Sequence, residues 1–418
     1  MNIRLFRDLD YADGGIASEA SVAAEISPVQ ILTVKNKTPL FKGDEQANAI
    51  EKIELEEVGF SLVSQKDLYQ VGEKVVYIQP DYSLSDIPLF ESFIRPNGDP
   101  KKSKLGSNYR IRAVKFNLHT GDNEPTYSVG ILMPQKEVNE YLDSIKWPVT
   151  DLNLAKALGI TKWEEPDNTG GTGIKANGGK QFPSDMYKTD ETNMNNLWGH
   201  LENKIGYPVT LIGTEKVDGS SISIRIKNSE INVASRTYIK PWEINKVVGY
   251  RKPTLIERLK KFFTGFNPGL KVIERVENDD QFVQLAKPYI DKIKAFYKDP
   301  SFMPNIILRG EANGQSWKGS GNKNNPTSKL SPNIKFYSID DYSSVATKLD
   351  EETFAALLSA YEFERCKVVF NKTFNSREEI TKECKEYFKT NLIEGIVLRT
   401  LDSKFSGKFM NDEYDSKK

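Results

Sequence analysis

The sequence of 418 residues contains little cysteine and histidine, with only two residues of each type. Cys366 and Cys384 form no Cys-x-x-Cys pair, which excludes a disulfide framework and a cysteine-based zinc site. His119 and His200 leave little room for a histidine-rich metal site. No apolar run approaches the roughly 18 residues that a membrane-spanning helix needs, and residues 1–8 lack the apolar stretch of a secretory signal. We therefore expect a cytoplasmic protein with no membrane partner.

The chain also lacks net charge, because its 58 Lys and Arg residues balance its 58 Asp and Glu residues. Proteins held to nucleic acid by bulk charge are usually basic overall, so the balance argues against that class. Binding through local basic patches stays open, with carboxylates elsewhere available to a metal ion. Hydrophobic residues make up 38% of the chain, and with 28 glycines this globular composition excludes disorder of the whole chain.

Short β-rich runs separated by turn residues dominate residues 1–147 and predict a small β-barrel or sandwich. These runs lie at 29–34, 50–58, 60–63, 74–79, 109–116 and 127–133. Residues 148–418 predict a second, α+β unit, with strands near both ends and a charged helical stretch at about 240–300. We therefore predict two domains.

Lys216 opens the sequence Lys216-Val217-Asp218-Gly219, which lies between two apolar β runs. A lysine that ends a strand before a tight Asp-Gly turn can present its amine to a pocket. Desolvation or nearby cations there lower the pKa of an amine and make it a nucleophile. The alternative is a surface hairpin with the same turn chemistry, because this short pattern is common by chance.

Further charged residues follow at the ends of predicted strands. In chain order they are Arg236, Glu311, Asp340, Glu394, Lys404 and Lys408. Such a set is chemically coherent, since an amine can attack phosphorus while carboxylates hold a divalent metal that prefers oxygen ligands. Arginine and lysine then neutralise the phosphate charge as it develops.

This ordered set resembles that of the covalent nucleotidyltransferases, which are the polynucleotide ligases and capping guanylyltransferases. That superfamily uses a Lys in K-x-D-G, then an Arg, a Glu, an aromatic-rich strand ending in Asp, an E-G pair and a late Lys. All six elements occur in this order over about 216–408.

Within the superfamily the chain looks most like an ATP-dependent RNA ligase of the RNA ligase 2-like group with an N-terminal OB module. Residues 188–191 resemble the segment that precedes the nucleophile in those enzymes, and residues 314–321 resemble their glycine-rich loop. Only ten residues follow Lys408, too few for the C-terminal OB domain of DNA ligases and capping enzymes.

The resemblance implies an α+β fold. Residues 1–147 would form an OB-like, nucleic-acid-binding β-barrel. Residues 148–418 would form an adenylation domain of ATP-grasp-like antiparallel sheets plus helices, with a helical insertion at about 240–300.

The resemblance also implies a role for each site residue. Lys216 is the nucleophile that takes AMP from ATP, and Asp218, Glu311 and Glu394 face Mg²⁺ or Mn²⁺. The remaining nucleotide contacts are the backbone at Glu215 on the adenine edge, Ile339 on the purine face, and Arg236 on phosphate. A late lysine also contacts phosphate, with Lys408 favoured and Lys404 left open as the alternative.

The implied function is an RNA repair enzyme, active as a monomer, that joins 3′-hydroxyl and 5′-phosphate RNA ends, with nicked duplexes left open as substrates. An ATP-dependent DNA ligase and an inactive nucleic-acid-binding relative are the alternatives. A basic stretch in the first domain is either an RNA backbone patch or a charged strand edge. Its predicted RNA-binding residues are Lys101, Lys102, Lys104, Arg110 and Arg112.

Overall fold

The computed structural model describes residues 27–417, apart from several gaps. These are 57, 122–123, 149–152, 164–179, 183–185, 187–190, 253, 255, 258–261, 264–270, 316, 318–323 and 344–346. Residues 188–190 of the predicted segment before the nucleophile, and most of the predicted glycine-rich loop, therefore lie outside the described residues. None of the helices in the described ranges is long and apolar enough to cross a membrane.

The N-terminal group of elements extends to residue 163. Its strands are β1 (Val29–Lys42), β2 (Glu45–Leu55), β3 (Ser61–Gln65), β4 (Lys74–Ile78), β5 (Tyr82–Ser83), β6 (Val114–Phe116), β7 (Thr126–Ser128), β8 (Ile131–Pro134) and β9 (Thr161–Lys162). Its α-helices are α1 (Glu91–Ile94), α2 (Gln135–Ser144) and α3 (Leu154–Ala157). Short turns of 3₁₀ helix lie at Pro88–Phe90, Pro96–Gly98, Pro100–Lys102 and Ser107–Tyr109.

Five antiparallel strands form the N-terminal sheet, in the order β3-β2-β1-β4-β8. Val75 and Tyr77 of β4 face one apolar core, whereas Val76 faces a second core that α2 covers. Strand β4 therefore reads as a continuous apolar run. The backbone amide of Val129 donates to the carbonyl of Ser61 at 2.9 Å, which brings the two edges of the sheet together. The OB module itself stays a prediction.

The second group begins at residue 180. Its strands are β10 (Lys180–Gln181), β11 (Val209–Lys216), β12 (Ser220–Lys227), β13 (Glu230–Ser235), β14 (Tyr238–Lys240), β15 (Glu243–Tyr250), β16 (Lys271–Glu277), β17 (Ile306–Asn313), β18 (Asn333–Asp341), β19 (Thr347–Lys348), β20 (Val368–Phe374), β21 (Gly395–Thr400) and β22 (Ser406–Met410). Its α-helices are α4 (Trp198–His200), α5 (Gln281–Phe296), α6 (Glu351–Tyr361), α7 (Arg377–Thr390) and α8 (Asp412–Ser416). Single helical turns lie at Met194–Asn196, Leu201–Ile205 and Pro300–Phe302.

Two antiparallel sheets carry this second group. The larger has seven strands in the order β10-β14-β13-β12-β17-β18-β19, and the smaller has four in the order β20-β11-β21-β22. Apolar side chains of α5 and α6 pack on the larger sheet, and those of α7 pack on the smaller one. Asp280, Asp350 and Ser376 cap the N-termini of these three helices through their side-chain oxygens. The predicted antiparallel sheets with helices are confirmed.

The predicted helical insertion at about 240–300 is wrong over most of its described length. Strands β15 and β16 form a separate antiparallel hairpin, and only α5 is a long helix. The β-branched residues Val247, Val248, Val272 and Ile273 favour extended backbone, which the high charge of the segment obscured in the sequence.

The run 109–116, predicted as one strand, is a strand only at its end, in β6. Asn108 and Tyr109 have left-handed φ angles of 53° and 56°, so the chain turns there. The turn ends the extended run and places Arg110 in the interior, where it is 8% exposed.

Candidate active site

The turn that carries Lys216 joins the two sheets of the second group. Lys216 is the last residue of β11 in the four-stranded sheet, and Ser220 is the first of β12 in the seven-stranded sheet. A side chain at Gly219 would collide with the carbonyl of Ala312 on β17, so only glycine fits there. The strand–turn–strand context predicted for Lys216 is confirmed, and it places the amine between the sheets.

Glu394 holds the amine of Lys216 in an ion pair. Strands β11 and β21 are antiparallel neighbours with Lys216 opposite Gly395, so Glu394 lies directly beside the lysine. A Cβ at Gly395 would approach the carbonyl of Phe409 within 2.6 Å, which explains the glycine of the E-G pair. Two residues 178 positions apart in sequence thus form one charged pair.

Glu311, on β17, faces the same group from the seven-stranded sheet. Desolvation, together with the negative charges of Glu394 and Asp218, raises the pKa of Glu311 to about 8, while Lys216 and Arg236 oppose the rise. The charges of Lys216, Asp218, Arg236 and Glu394 therefore all act on Glu311. The structure brings together the lysine, the arginine and the three carboxylates.

Asp218 is buried, and its carboxylate accepts a hydrogen bond of 2.8 Å from the hydroxyl of Tyr414 on α8. The backbone carbonyl oxygen of Asp218 accepts a second hydrogen bond, of 2.7 Å, from the side-chain amide nitrogen of Asn325. Sequence reasoning missed Tyr414 and Asn325, because neither residue belongs to a local pattern. Both bonds fix the nucleophile turn.

The two late lysines have different surroundings. Lys408, on β22, is buried, and its amine lies 3.3 Å from the carboxylate of Asp81 in the N-terminal group. Lys404 lies between β21 and β22 with its side chain 86% exposed, 3.7 Å from Asp402. The structure places Lys408 with the buried charges and leaves Lys404 on the surface, whereas the choice between them as the phosphate contact stays a prediction.

Ile339 does not line the space between the sheets, contrary to the prediction that it packs on a purine. A bulge in the pairing of β17 with β18 falls at Tyr337 and turns Phe336 and Ile339 to the same side. Ile339 is fully buried in the core beneath α5 and α6. The sequence pattern could not show this shift of register.

The side chain of Glu215 contacts α7. Its carboxylate accepts hydrogen bonds of 2.6 Å from the hydroxyl of Tyr387 and 3.2 Å from the amine of Lys367. Adjacent residues of a strand point to opposite faces, so this orientation agrees with that of Lys216. Adenine recognition by the backbone at Glu215 stays a prediction.

The predicted RNA patch divides into two parts. Lys101, Lys102 and Lys104 are exposed, and Arg112 donates a hydrogen bond to the carbonyl of Lys104 at 3.2 Å. Arg110 is instead buried, with its guanidinium 2.6 Å from Asp81 and 3.2 Å from Asp415. Arg110 therefore does not belong to the exposed patch, because its guanidinium is buried and already pairs with Asp81 and Asp415.

The carboxylates between the sheets suit a divalent cation by their chemistry. Oxygen is the ligand type that Mg²⁺ and Mn²⁺ accept, and a cation would relieve the repulsion that Asp218 and Glu394 exert on Glu311. Within the described ranges, no group of three acidic, histidine or cysteine side chains is close enough to hold an ion by itself. Magnesium commonly binds one or two carboxylates together with substrate phosphates, so the residues fit such a shared site.

Comparison with known proteins agrees with this geometry. Residues 209–411 match the family model described as RNA ligase. No curated protein sequence matches the chain. A Naegleria gruberi RNA ligase variant solved with ATP and manganese has 20% identity and a TM-score of 0.64, covering 94% of this chain and 99% of that one. The same ligase with pyrophosphate has 21% identity and a TM-score of 0.63, covering 93% and 97%.

The two antiparallel sheets, with Lys216, Glu311 and Glu394 grouped where they meet, agree with the resemblance to the covalent nucleotidyltransferases. The match of residues 209–411 to the RNA ligase family model agrees with this resemblance.

Proposed function

We propose that this protein is an ATP-dependent RNA ligase that joins a 3′-hydroxyl end to a 5′-phosphate end. The observation that carries the proposal is the pairing of Lys216 with Glu394 beside Glu311, at the junction of the two sheets. An inactive relative would have no need for a lysine held in this charged setting. The Naegleria ligase structures with ATP and manganese support the choice of nucleotide and metal.

In the first step the amine of Lys216 attacks the α-phosphorus of ATP. A nitrogen–phosphorus bond forms, the bond to the β-phosphate oxygen breaks, and pyrophosphate leaves. Attack requires the neutral amine, so the ammonium of Lys216, which is partly exposed, first gives a proton to solvent. Lys408 and Arg236 would neutralise the charge on the α-phosphate as it develops.

The later steps transfer AMP to RNA and release it. The 5′-phosphate of one RNA end attacks the lysyl-AMP, which frees Lys216 and adenylates that end. The 3′-hydroxyl of the other end then attacks the 5′-phosphate, and AMP leaves as the new phosphodiester forms. Lys101, Lys102, Lys104 and Arg112 would hold the RNA backbone, with residues 1–147 as an OB module beside the adenylation domain at 148–418.

One or two of the carboxylates of Asp218, Glu311 and Glu394 would hold a magnesium or manganese ion together with phosphate oxygens of ATP, and the others would face it through water. When bound, such an ion neutralises phosphoryl charge and organises water. Tyr414 orients Asp218 within this set, since its hydroxyl donates to that carboxylate.

Labelled ATP with metal, followed by denaturing electrophoresis, tests the first step. We expect label on the wild-type chain and none when Lys216 is replaced by alanine. A panel of nicked duplexes and single strands, with RNA or DNA on each side of the junction, tests the substrate. Preferential sealing of RNA 3′-hydroxyl ends supports the proposal. Equal sealing of all-DNA nicks would contradict it, and preferential sealing of all-DNA nicks would make the protein a DNA ligase instead.

A further inference from the structure

Asp81 is the point at which the N-terminal group reaches the buried charges of the second group. It follows β4 and has a left-handed φ of 66°, which few residues other than glycine adopt. Its amide donates to the carbonyl of Ile111, and its carbonyl accepts from the amide of Trp163, both at 3.0 Å. These two bonds hold the backbone of Asp81 in a conformation that costs energy by itself.

The carboxylate of Asp81 bridges two buried cations. One oxygen accepts a hydrogen bond of 2.6 Å from Arg110, and the other accepts one of 3.3 Å from the amine of Lys408. The side chains of Arg110 and Lys408 are only 10% and 11% exposed. Burial alone would raise the pKa of Asp81, but Lys408 and Arg110 hold it well below its usual value. Asp81 therefore stays ionised between them.

A second connection runs from the same arginine to the nucleophile turn. Arg110 lies 3.2 Å from Asp415 on α8, and that carboxylate also accepts from the amide of Ala113 at 2.9 Å. The next residue towards the N-terminus, Tyr414, donates its hydroxyl to Asp218. The N-terminal group thus contacts the active site both through Lys408 and through α8.

We propose that Asp81 is a positioning residue for adenylation, which sets the amine of Lys408 at the place where it meets the α-phosphate of ATP. The proposal rests on the proposed function. A lysine has a flexible four-carbon stem, so a buried ammonium needs a fixed partner to hold one position. The strained backbone of Asp81 and its bond to Arg110 supply a partner whose own position is fixed.

A role of Asp81 in adenylation differs from the domain roles that the resemblance implies. The resemblance assigns RNA binding to residues 1–147 and adenylation to residues 148–418. If Asp81 positions Lys408, the N-terminal group also contributes to the first step, before any RNA is present.

The test compares single-turnover lysyl-AMP formation in the wild type, in Asp81→Asn and in Asp86→Asn over a range of ATP concentrations. Asp86 is a matched control, because it forms an exposed ion pair with Arg95 in the same N-terminal group. We expect Asp81→Asn to lower the rate at saturating ATP at least tenfold, since a displacement of about 1 Å can cost roughly 100-fold. Asp86→Asn should keep the wild-type rate. A wild-type rate in a folded Asp81→Asn protein would overturn the proposal.

Two further measurements keep the test decisive. Where Asp81→Asn fails to fold, Asp81→Glu keeps the charge but moves it, and the proposal requires that variant to be slowed as well. Without ATP, acylation of Lys408 by an amine reagent, read by peptide mass spectrometry, should rise severalfold in Asp81→Asn. Unchanged acylation of Lys408 would contradict the positioning role of Asp81. Absence of lysyl-AMP in the wild-type protein would instead refute the proposed function, and the acylation result could still be read in that case.

Discussion

Lys216 and Glu394 form an ion pair across two adjacent strands of the four-stranded sheet, at the edge where the chain crosses to the seven-stranded sheet. The lysine side chain is 27% exposed and the glutamate 9% exposed, so the amine is reachable while its partner is largely enclosed. This combination suits a nucleophile that must be held in place and still meet a substrate from solution.

Lys216→Ala should abolish the covalent AMP adduct and leave the fold intact, because the lysine is partly exposed and carries the reacting nitrogen. Labelled ATP and denaturing electrophoresis measure the adduct, and thermal unfolding monitors the fold. Lys372→Ala is the control, since Lys372 lies on the same sheet in an exposed pair with Glu383. A covalent adduct that persists in Lys216→Ala would show that another residue is the nucleophile.

Tyr414→Phe should slow adenylation by several-fold while lowering stability by about 2 kcal/mol, the usual net value of one hydrogen bond to a charged group. The lost hydroxyl is the one that orients Asp218. Tyr297→Phe is the matched control, because its hydroxyl bonds to Tyr361 at a distance of 3.0 Å, away from the nucleophile turn. Equal effects of both substitutions on the adenylation rate would assign Tyr414 a purely structural role.

The parts of the site that the sequence predicted are those fixed by short-range pattern. Lys216 and Gly219 belong to one strand–turn–strand segment, so the residues that define their geometry are adjacent in the chain. The predicted place of Ile339 is wrong because a single bulge in β18 moves every later side chain of the strand to the opposite face of the sheet. No local sequence signal indicates such a bulge.

Arg110 shows a second limit of prediction from sequence. Its basic neighbours suggested a surface patch, but its partner Asp415 lies 305 positions later in the chain. Only the docking of α8 on the N-terminal group brings these two residues together. Asp81 and Lys408 are likewise 327 positions apart and meet only in the folded chain, where β22 contacts the N-terminal group.

Glu191→Gln should destabilise the protein at neutral pH and flatten its loss of stability in acid. Burial would raise the pKa of Glu191, but Lys348 and Arg399 lower it to about 2 from the usual 4.5. A depressed carboxyl pKa stabilises the fold fully above pH 4.5, and this stabilisation is lost as the pH falls towards 2. The shift corresponds to roughly 3 kcal/mol.

Denaturant unfolding of the wild type and of Glu191→Gln between pH 2 and pH 7 measures this effect. Glu383→Gln serves as the control, because its ion pair with Lys372 is exposed and should contribute little. Parallel stability curves for the wild type and Glu191→Gln would contradict the expected linkage.

Replacing Lys101, Lys102 and Lys104 with alanine should weaken RNA binding and reduce its dependence on salt. These exposed lysines are the part of the predicted patch that the structure leaves at the surface. Each phosphate contact that is lost reduces the number of counterions released on binding. The slope of log affinity against log salt should therefore become less steep by roughly 2 for single-stranded RNA. Lys216 adenylation should be nearly unchanged, because that step involves no RNA and these lysines lie at the surface. A triple alanine variant at Lys382, Lys385 and Lys389 on α7 removes the same charge from another exposed face and should keep the wild-type slope. Equal slopes for all three proteins would show that the stretch at 101–104 is a solvated edge, and the RNA path should then be sought near the exposed Arg251 and Lys252.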